Sequence, residues 1–267
     1  MPSAMTKEIS SRDNPTVKRL HALAHSARDR RKHGETLLDG VHLIDAALAA
    51  GWPIKSLIVA AGIEEHGEIA QLRAKAPAAI QQIVLADTLF AHVSPVDTPS
   101  GILALIDLPA PTGNLPFRAD VLALDGIQDP GNLGTILRTA AAAGVHHVLL
   151  GEGCAQAWAP RVLRAGMGAH FLLQLEERVD LPNRLVDFPG SRIATALGEG
   201  SQGLFQTDVR AQVAWLFGAE GQGLSSALLA MADRRVSIPM CAGVESLNVG
   251  AAVAVCLFEQ VRQRSLR

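Results

Sequence analysis

The chain has 267 residues, of which 48% are hydrophobic and 19% are charged, and its formal net charge is −2. This composition supports a sizeable buried core and excludes global disorder, and the length suits one large domain or two modest ones. The total charge does not favour nucleic-acid binding, but the first 35 residues are locally basic.

Neither a membrane segment nor a metal site is predicted. The start of the chain lacks the apolar stretch of a signal peptide, and the alanine-rich runs at 41–50 and 249–258 are too short to span a bilayer. Cys154, Cys241 and Cys256 have neither the spacing of metal-ligand pairs nor that of a disulfide framework. We therefore expect buried thiols and a protein of the reducing cytoplasm.

Residues 1–107 predict a compact α/β unit. Asn14 and Pro15 are typical of a helix start, and a basic helix is predicted over 15–32. Strands are predicted over 36–39, 54–60, 80–85 and 102–106, and further helices over 41–50 and 64–76. The basic helix is either a solvated face or an RNA-binding surface, and the cations concerned are Lys18, Arg19, Arg28, Arg30, Arg31 and Lys32.

Prolines, a glycine and an asparagine without periodicity predict a linker over 108–117. In the second unit, 118–267, strands are predicted over 121–124, 145–150, 171–173, 192–197, 213–217 and 235–238. Helices are predicted over 132–143, 160–168 and 247–264. This alternation indicates an α/β fold with a mostly parallel sheet and helices on both faces.

Three glycine-framed segments follow predicted strands of the second unit. They are DGIQDPGNLGTILR at 125–138, LFGAEGQGL at 216–224 and IPMCAGVESLNV at 238–249. Ligands of open parallel sheets bind beyond the carboxyl ends of the strands, and glycine and proline allow turns that expose backbone polar groups. The segments therefore predict a small-molecule pocket made mostly of backbone.

Five polar side chains occupy these segments: Asn132, Arg138, Glu220, Ser246 and Asn248. Each has a simpler interpretation, because Ser246 and Asn248 can cap a helix, Glu220 can be a solvated turn acid and Arg138 can form a surface ion pair. Their joint occurrence at strand ends favours a functional site.

A competing pattern, GEGSQG at 198–203, fits the dinucleotide fingerprint G-x-G-x-x-G. Only about nine residues separate it from the next predicted strand, too few for a crossover helix. An NAD-dependent oxidoreductase of the Rossmann type is thus the weaker interpretation. A P-loop and a Gly-x-Ser-x-Gly elbow are both absent from the sequence.

The three segments resemble motifs 1, 2 and 3 of the SpoU (TrmH-type) RNA ribose 2′-O-methyltransferases of the SPOUT superfamily. The resemblance covers about residues 118–267, and LFEQVR at 257–262 is similar to the end of members that modify ribosomal RNA. It implies an α/β SPOUT-type parallel sheet with a deep C-terminal trefoil knot, S-adenosyl-L-methionine as methyl donor, and a homodimer. Residues 10–107 resemble the family's smaller substrate-binding domain, of ribosomal-protein-like α/β fold.

The resemblance also implies roles for individual residues. Asn132 and Arg138 match residues that address the ribose, Glu220 matches the motif 2 acid, and Ser246 with Asn248 matches the motif 3 pair. The residues implied to line the methyl-donor pocket are Thr195, Ala196, Leu197, Gly198, Leu216, Phe217, Gly218, Ile238, Pro239, Met240 and Leu247. Arg164 is implied to face RNA. Gly166 and Gly250 depart from the family pattern, in which Ser is common at the first position and Ser or Ala at the second.

The resulting hypothesis is methyl transfer to a ribose 2′-hydroxyl, with 23S ribosomal RNA favoured over transfer RNA. The family's proposed activator is Arg138, but a guanidinium is a poor base, so we expect an electrostatic clamp. The alternatives are the oxidoreductase and an RNA-binding protein without catalysis.

Overall fold

The computed structural model describes residues 6–62, 67–110, 113–198 and 200–266. It divides into two compact units. One contains the described residues up to Ala110 together with Trp158–Phe171, and the other contains those from 113 to Ala157 and from Leu172 onward. The segment Trp158–Phe171 therefore packs with the first unit, although in sequence it lies within 118–267.

The elements of residues 6–107 are β1 (Thr6–Ile9), α1 (Pro15–His25), α2 (Ala27–His33), β2 (Glu35–Asp39), α3 (Val41–Ala49), β3 (Ile54–Ala60), α4 (Glu68–Lys75), β4 (Gln81–Leu85), α5 (Asp87–Val93) and β5 (Ile102–Asp107). Part of the helix predicted over 64–76 lies outside the described residues. Strand β1 and helix α5 were not predicted.

The predicted single helix over 15–32 is wrong, because the structure has two helices that meet at Ser26. The backbone of Ser26 is extended, and its hydroxyl accepts from the N–H of Asp29 at 3.1 Å. Serine favours such capping over a helix interior, which explains the break. Asn14 caps α1 as predicted, accepting from the N–H of Thr16 at 2.9 Å.

The sheet of the first unit is mixed, with the order β1-β4-β3-β5-β2. Strand β5 pairs antiparallel with both β2 and β3, and the other pairs are parallel. Leu20 and Leu23 of α1 and Phe90 of α5 are buried against it in one apolar cluster. This core supports α1, whose opposite side is exposed.

The remaining elements are β6 (Val121–Asp125), α6 (Pro130–Ala142), β7 (His147–Gly151), α7 (Pro160–Gly166), β8 (Gln174–Val179), α8 (Leu181–Leu185), β9 (Ser191–Thr195), β10 (Gln202–Gly203), β11 (Val213–Gly218), α9 (Ser226–Met231), β12 (Arg234–Ser237) and α10 (Val249–Ser265). The strand predicted over 171–173 is wrong, because residues Ala169–Leu172 form a 3-10 turn and the strand begins at Gln174. The short helices α8 and α9 were not predicted.

The sheet of the second unit has seven strands in the order β10-β12-β9-β11-β6-β7-β8, and every pair is parallel. Strand β11 is central and almost wholly buried. The indole N–H of Trp215 in this strand donates to Gln260 of α10 at 2.9 Å, which satisfies a buried donor and ties the last helix to the sheet. Helix α10 also packs against α6.

Hydrogen bonds of Arg184, beside the edge strand β8, hold the end of the linker in this unit. Arg184 of α8 donates twice to Glu176 of β8, at 3.0 Å each, and also donates to the carbonyl of Leu115. Its guanidinium lies 3.9 Å from the ring centre of Phe117, and His147 contacts Glu176 at 2.7 Å. Within the described residues, no helix is long and apolar enough to cross a membrane.

Candidate functional site

Four neighbouring parallel strands, β12, β9, β11 and β6, end at the same edge of the second sheet. The register places Thr195 beside Val236, and Gly218 beside Asp125. The segments that follow these strands are therefore adjacent, which confirms that the three glycine-framed segments meet at one sheet edge.

Asn132 lies in the first turn of α6, which follows β6. The N-cap is Asp129, whose carboxylate accepts from the backbone N–H of Asn132 at 2.7 Å, and Pro130 occupies the first turn. This cap was not singled out in the sequence, although Asp followed by Pro is a typical helix start. The cap fixes the backbone from which the Asn132 side chain extends.

The side chains of Asn132, Glu220 and Asn248 are hydrogen-bonded to one another. The amide of Asn248 donates to Glu220 at 2.7 Å and to Asn132 at 2.9 Å, and Asn132 donates to Glu220 at 3.2 Å. The same Glu220 oxygen, Oε1, accepts from the backbone N–H of Val249 at 3.1 Å. One residue from each glycine-framed segment thus contributes to a single polar cluster.

Asn248 also caps α10, as its Oδ1 accepts from the N–H groups of Gly250 at 2.9 Å and Ala251 at 3.3 Å. Capping is therefore one role of Asn248, and its amide group has partners beyond the cap. The capping interpretation of this residue is correct, and its side-chain N–H groups also join the polar cluster.

Arg138 and Ser246 do not join this cluster. Both are exposed, and neither makes a hydrogen bond or ion pair with any residue that the structure describes. Arg138 lies on α6 six positions beyond Asn132, so a cation faces solvent on the helix whose first turn carries the cluster. The surface ion pair considered for Arg138 is not formed.

The predicted donor-pocket residues follow β9 and β12 or end β11. Thr195 donates its hydroxyl to the carbonyl of Leu216 at 3.2 Å, and the N–H of Ala196 donates to Val236 at 3.0 Å. Leu197 is 61% exposed and Leu247 is 38% exposed, so apolar side chains are presented to solvent at this edge. Gly198 and Pro239 are also exposed, Ile238 and Met240 are half-buried, and the ring of Phe217 is buried.

Two backbone segments approach each other closely at Gly218. A Cβ atom at this position would overlap the carbonyl group of Gly223 and the N–H of Leu224. The turn between them closes with a hydrogen bond from the N–H of Gly223 to the carbonyl of Ala219 at 2.8 Å. Only glycine allows this approach, which places Glu220 beside the end of β11.

The Rossmann interpretation is not supported by the local structure. The third glycine of the pattern, Gly203, lies in strand β10, and a single 3-10 turn over Leu204–Gln206 follows it. The dinucleotide fingerprint needs a helix that begins at this glycine. Among the described residues, no group of three or more His, Cys, Asp or Glu side chains could hold a metal.

The basic residues of α1 and α2 that were predicted to contact RNA fall into two groups. Arg28, Arg31 and Lys32 are exposed on α2, and Lys18 and Arg19 are exposed on α1 with partners in Asp13 and Glu35. In contrast, Arg30 is only 5% exposed and donates to the carbonyl of Leu23 at 2.8 Å, so its burial argues against RNA contact.

Arg164 is engaged within the first unit. Its Nη1 donates to the buried carboxylate of Asp39 at 2.7 Å, and Ser100 donates to the other oxygen of Asp39 at 2.5 Å. This pairing joins helix α7 to strand β2. Its partner gives Arg164 a structural role that the sequence did not indicate.

All three cysteines are free thiols. Cys256 is buried, and burial raises its pKa to about 12. Burial also raises the pKa of Cys154, which is half-buried. Cys241 is exposed, so the expectation that all three would be buried is wrong, because this residue lies in the exposed turn between β12 and α10.

Two family models match the chain. Residues 120–258 match the SpoU rRNA Methylase family, and residues 14–104 match an MRM3-like substrate binding domain. The chain belongs to the SpoU rRNA methylase family, which confirms the resemblance seen in the three motifs.

Individual relatives cover almost the whole chain. An uncharacterized tRNA/rRNA methyltransferase of Synechocystis is 36% identical over 96% of this chain and 94% of its own length. The 23S rRNA (guanosine(2553)-2′-O)-methyltransferase RlmP of Bacillus subtilis is 32% identical over 94% of this chain and 98% of its own. Among solved structures, an AdoMet-bound rRNA methyltransferase from Sinorhizobium meliloti is 28% identical, with a TM-score of 0.83, and the match covers 96% of this chain and 98% of that one.

Proposed function

We propose that this protein transfers a methyl group from S-adenosyl-L-methionine to a ribose 2′-hydroxyl of 23S ribosomal RNA. The observation that carries the proposal is the cluster of Asn132, Glu220 and Asn248, with an exposed, unengaged Arg138 six positions beyond Asn132 on α6. Family membership and the activity named for the Bacillus relative support the same reaction.

The sheet edge fits an S-adenosylmethionine molecule. Gly218 permits a close backbone crossing, and Leu197 and Leu247 present apolar surface beside the exposed ends of three strands. Such a mixture of backbone polar groups and apolar side chains is typical of sites for a nucleoside. When bound, the donor supplies an electrophilic sulfonium methyl group.

The ribose hydroxyl is a weak acid, so orientation and stabilisation of developing negative charge should provide much of the rate. Arg138 remains protonated and has five N–H donors, which suit a phosphate or a developing alkoxide. Asn132 and Asn248 orient the ribose, and Glu220 fixes both amides by accepting from them. Ser246, which is exposed in the same segment, supplies a further hydroxyl toward the RNA.

The first unit would hold the RNA. The match of residues 14–104 to a substrate-binding domain and the exposed cations Arg28, Arg31 and Lys32 support this role. A-form RNA hides its base edges, so charge and shape should dominate the contact.

We also propose a trefoil knot, a homodimer and a cytoplasmic location. The knot is supported by membership of the SpoU rRNA methylase family, since the resemblance to that family implied it. Exposed Phe258 and Val261 on α10 offer apolar surface to a second copy, and three free thiols suit a reducing compartment. Light scattering of the purified protein would test the dimer.

A tritiated methyl-transfer assay on deproteinised 23S ribosomal RNA tests the function, with total transfer RNA as a second substrate. Wild-type protein should label 23S RNA, and nuclease mapping should place the label on a ribose. Arg138→Ala should abolish labelling and leave donor binding unchanged by calorimetry. Arg118→Ala, a change of another exposed arginine in the same unit, should be neutral.

Labelling of transfer RNA alone would show that transfer RNA, and not 23S ribosomal RNA, is the substrate. The name of the Synechocystis relative also allows that substrate. Donor binding without labelling of either RNA would favour the non-catalytic alternative. Full activity of the Arg138→Ala variant would remove Arg138 from the mechanism.

A further inference from the structure

Three histidines of the first unit lie side by side on the surface formed by α1 and α5. The rings of His21 and His92 are stacked with centroids 4.1 Å apart, and those of His21 and His25 are 4.6 Å apart. Arg12, just before α1, contacts Nδ1 of His92 at 2.7 Å. We refer to Arg12, His21, His25 and His92, together with Arg161 of α7, as the histidine cluster.

The hydrogen bonds determine where the ring protons lie. A guanidinium can only donate, so Nδ1 of His92 accepts from Arg12 and the proton of this ring is on Nε2. A carbonyl can only accept, so Nδ1 of His21 donates to the backbone oxygen of His92 at 2.8 Å. The histidine cluster therefore has N–H groups that can donate hydrogen bonds to a ligand, and protonation of His25 would add a further N–H donor.

Among the residues that the structure describes, the charged groups that act on the rings of His25 and His92 are all cationic. Burial lowers the pKa of His25, and the charges of His21, Arg161 and Arg30 lower it further. A hydrogen bond with the backbone of His92 raises this pKa, but its effect is smaller. Burial also lowers the pKa of His92, and His21, Arg12 and His25 act in the same direction.

The carboxylates of the surrounding elements do not hydrogen-bond to these rings. Asp13 pairs with Lys18, and Glu35 pairs with Arg19 and Lys55. Asp39 accepts from Arg164 and Ser100, and Asp87 accepts from the N–H of Gly62. Asp29 lies in the first turn of α2. Within the described ranges, the positive charge of the histidine cluster is thus not neutralised by a hydrogen-bonded carboxylate.

Three neighbouring histidines also raise the alternative of a metal site. The Nδ1 atoms of His21 and His92 are both engaged in hydrogen bonds, and in the described part of the chain no set of such side chains has metal-binding geometry. An anion is the ligand that fits clustered donors and uncompensated cations.

We propose that the histidine cluster binds the phosphodiester backbone of the RNA substrate, and that this contact tightens as pH falls. A phosphate near His25 offsets the repulsion from its cationic neighbours, so RNA binding should be coupled to uptake of a proton. The inference rests on the proposed function, because it takes RNA as the substrate. It adds a contact surface on α1 and α5 to the basic face of α2.

Filter binding with a 23S ribosomal RNA transcript tests the proposal, at about pH 6 and about pH 8 and at fixed ionic strength. Wild-type affinity should be about threefold higher at the lower pH, because a rise of one pKa unit on binding has its full tenfold effect only below both pKa values. His25→Asn should remove most of this pH dependence. Arg12→Ala should weaken binding at both pH values, and the control His42→Asn, an exposed histidine on α3, should behave as wild type.

An affinity of the wild type that does not change with pH would overturn the proposal, as would a full pH dependence in His25→Asn. Displacement of the transcript by about millimolar inorganic phosphate at the same ionic strength would indicate a free-phosphate site and equally overturn it. Methyl transfer to the same transcript is measured in parallel. Its absence from the wild type would contradict the proposed function, whereas pH-dependent RNA binding tests the cluster alone.

Discussion

The side-chain amide of Asn248 donates to Oε1 of Glu220 across 2.7 Å. Glu220 lies in the turn after β11, and Asn248 is the N-cap of α10. The bond links the turn that closes over Gly218 to the start of the last helix. It therefore couples the part of the edge proposed to hold the donor to the part proposed to hold the ribose.

Replacing Asn248 separates its two roles. Serine caps helices as well as asparagine, so Asn248→Ser should change the free energy of unfolding by less than about 0.5 kcal/mol, whereas Asn248→Ala should cost about 1 kcal/mol. Both variants lose the amide donors to Glu220 and Asn132, and both should transfer methyl groups at least about tenfold more slowly. Denaturant unfolding and the tritium assay give the two readouts. A Ser variant with wild-type rate would show that the amide is dispensable.

Gly218→Ala should disrupt the sheet edge. The added Cβ would overlap the Gly223 carbonyl, so we expect a loss of about 1–3 kcal/mol in stability and weaker binding of S-adenosylmethionine by calorimetry. Gly221→Ala is the matched comparison, because Gly221 has a φ of +81° but open space around it. Gly221→Ala should lose only about 1–2 kcal/mol in stability, because its sole effect is backbone strain. Equal effects on donor binding would contradict the close approach as the cause.

The pair of Asp39 and Arg164 should stabilise the first unit. The Asp39 side chain is fully buried, so Asp39→Asn leaves the guanidinium without its charge partner and should destabilise the unit by about 2–3 kcal/mol. Hydrogen exchange should quicken in α7, which this pair joins to β2. Asp45→Asn breaks the exposed pair with Lys75 and should cost less than about 0.5 kcal/mol. Unchanged exchange in α7 would rule out this anchoring role.

Glu176 should make the second unit sensitive to acid. Burial raises the pKa of Glu176, but hydrogen bonds from Arg184, His147 and the N–H of Leu115 outweigh burial and lower it overall. A carboxyl with a lowered folded pKa stabilises the fold above its unfolded pKa, and this stability is lost as pH falls through the folded value. The denaturant concentration at the unfolding midpoint should therefore decrease as the pH is lowered from about 5 to about 3 in the wild type. The decrease should be less steep in Glu176→Gln.

The exposed Glu152 is the control, because Glu152→Gln should reproduce the wild-type profile. A Glu176→Gln profile that coincides with the wild type would show that this network does not set the acid response.

The sequence predicted the sheet edge well, because buried parallel strands have strong apolar patterns and glycine-rich turns mark their ends. Strand β3 was predicted with its observed bounds, and β6 and β11 within one residue. Asn132, Glu220 and Asn248 could be placed together because each follows such a strand or begins the next helix.

Features that depend on tertiary contacts were not predictable. Strand β8 lies at a sheet edge and carries three charged residues, so its pattern lacks a clear apolar period. Arg30 looks like any member of a basic helix, and only packing of its long stem reveals that it is buried. Arg164 pairs with Asp39, which lies 125 positions away in the sequence. No local sequence pattern indicates a contact between residues so far apart.

Asn248 lies 116 positions beyond its partner Asn132, and this separation affects the order in which the protein can fold. The cluster needs Asn248 at the start of α10, so it cannot assemble before this helix has been synthesised and has docked. The first unit contains its own sheet and core and can form earlier in synthesis. The sheet and core of the first unit can therefore exist before the Asn132, Glu220 and Asn248 cluster does, because that cluster waits for α10.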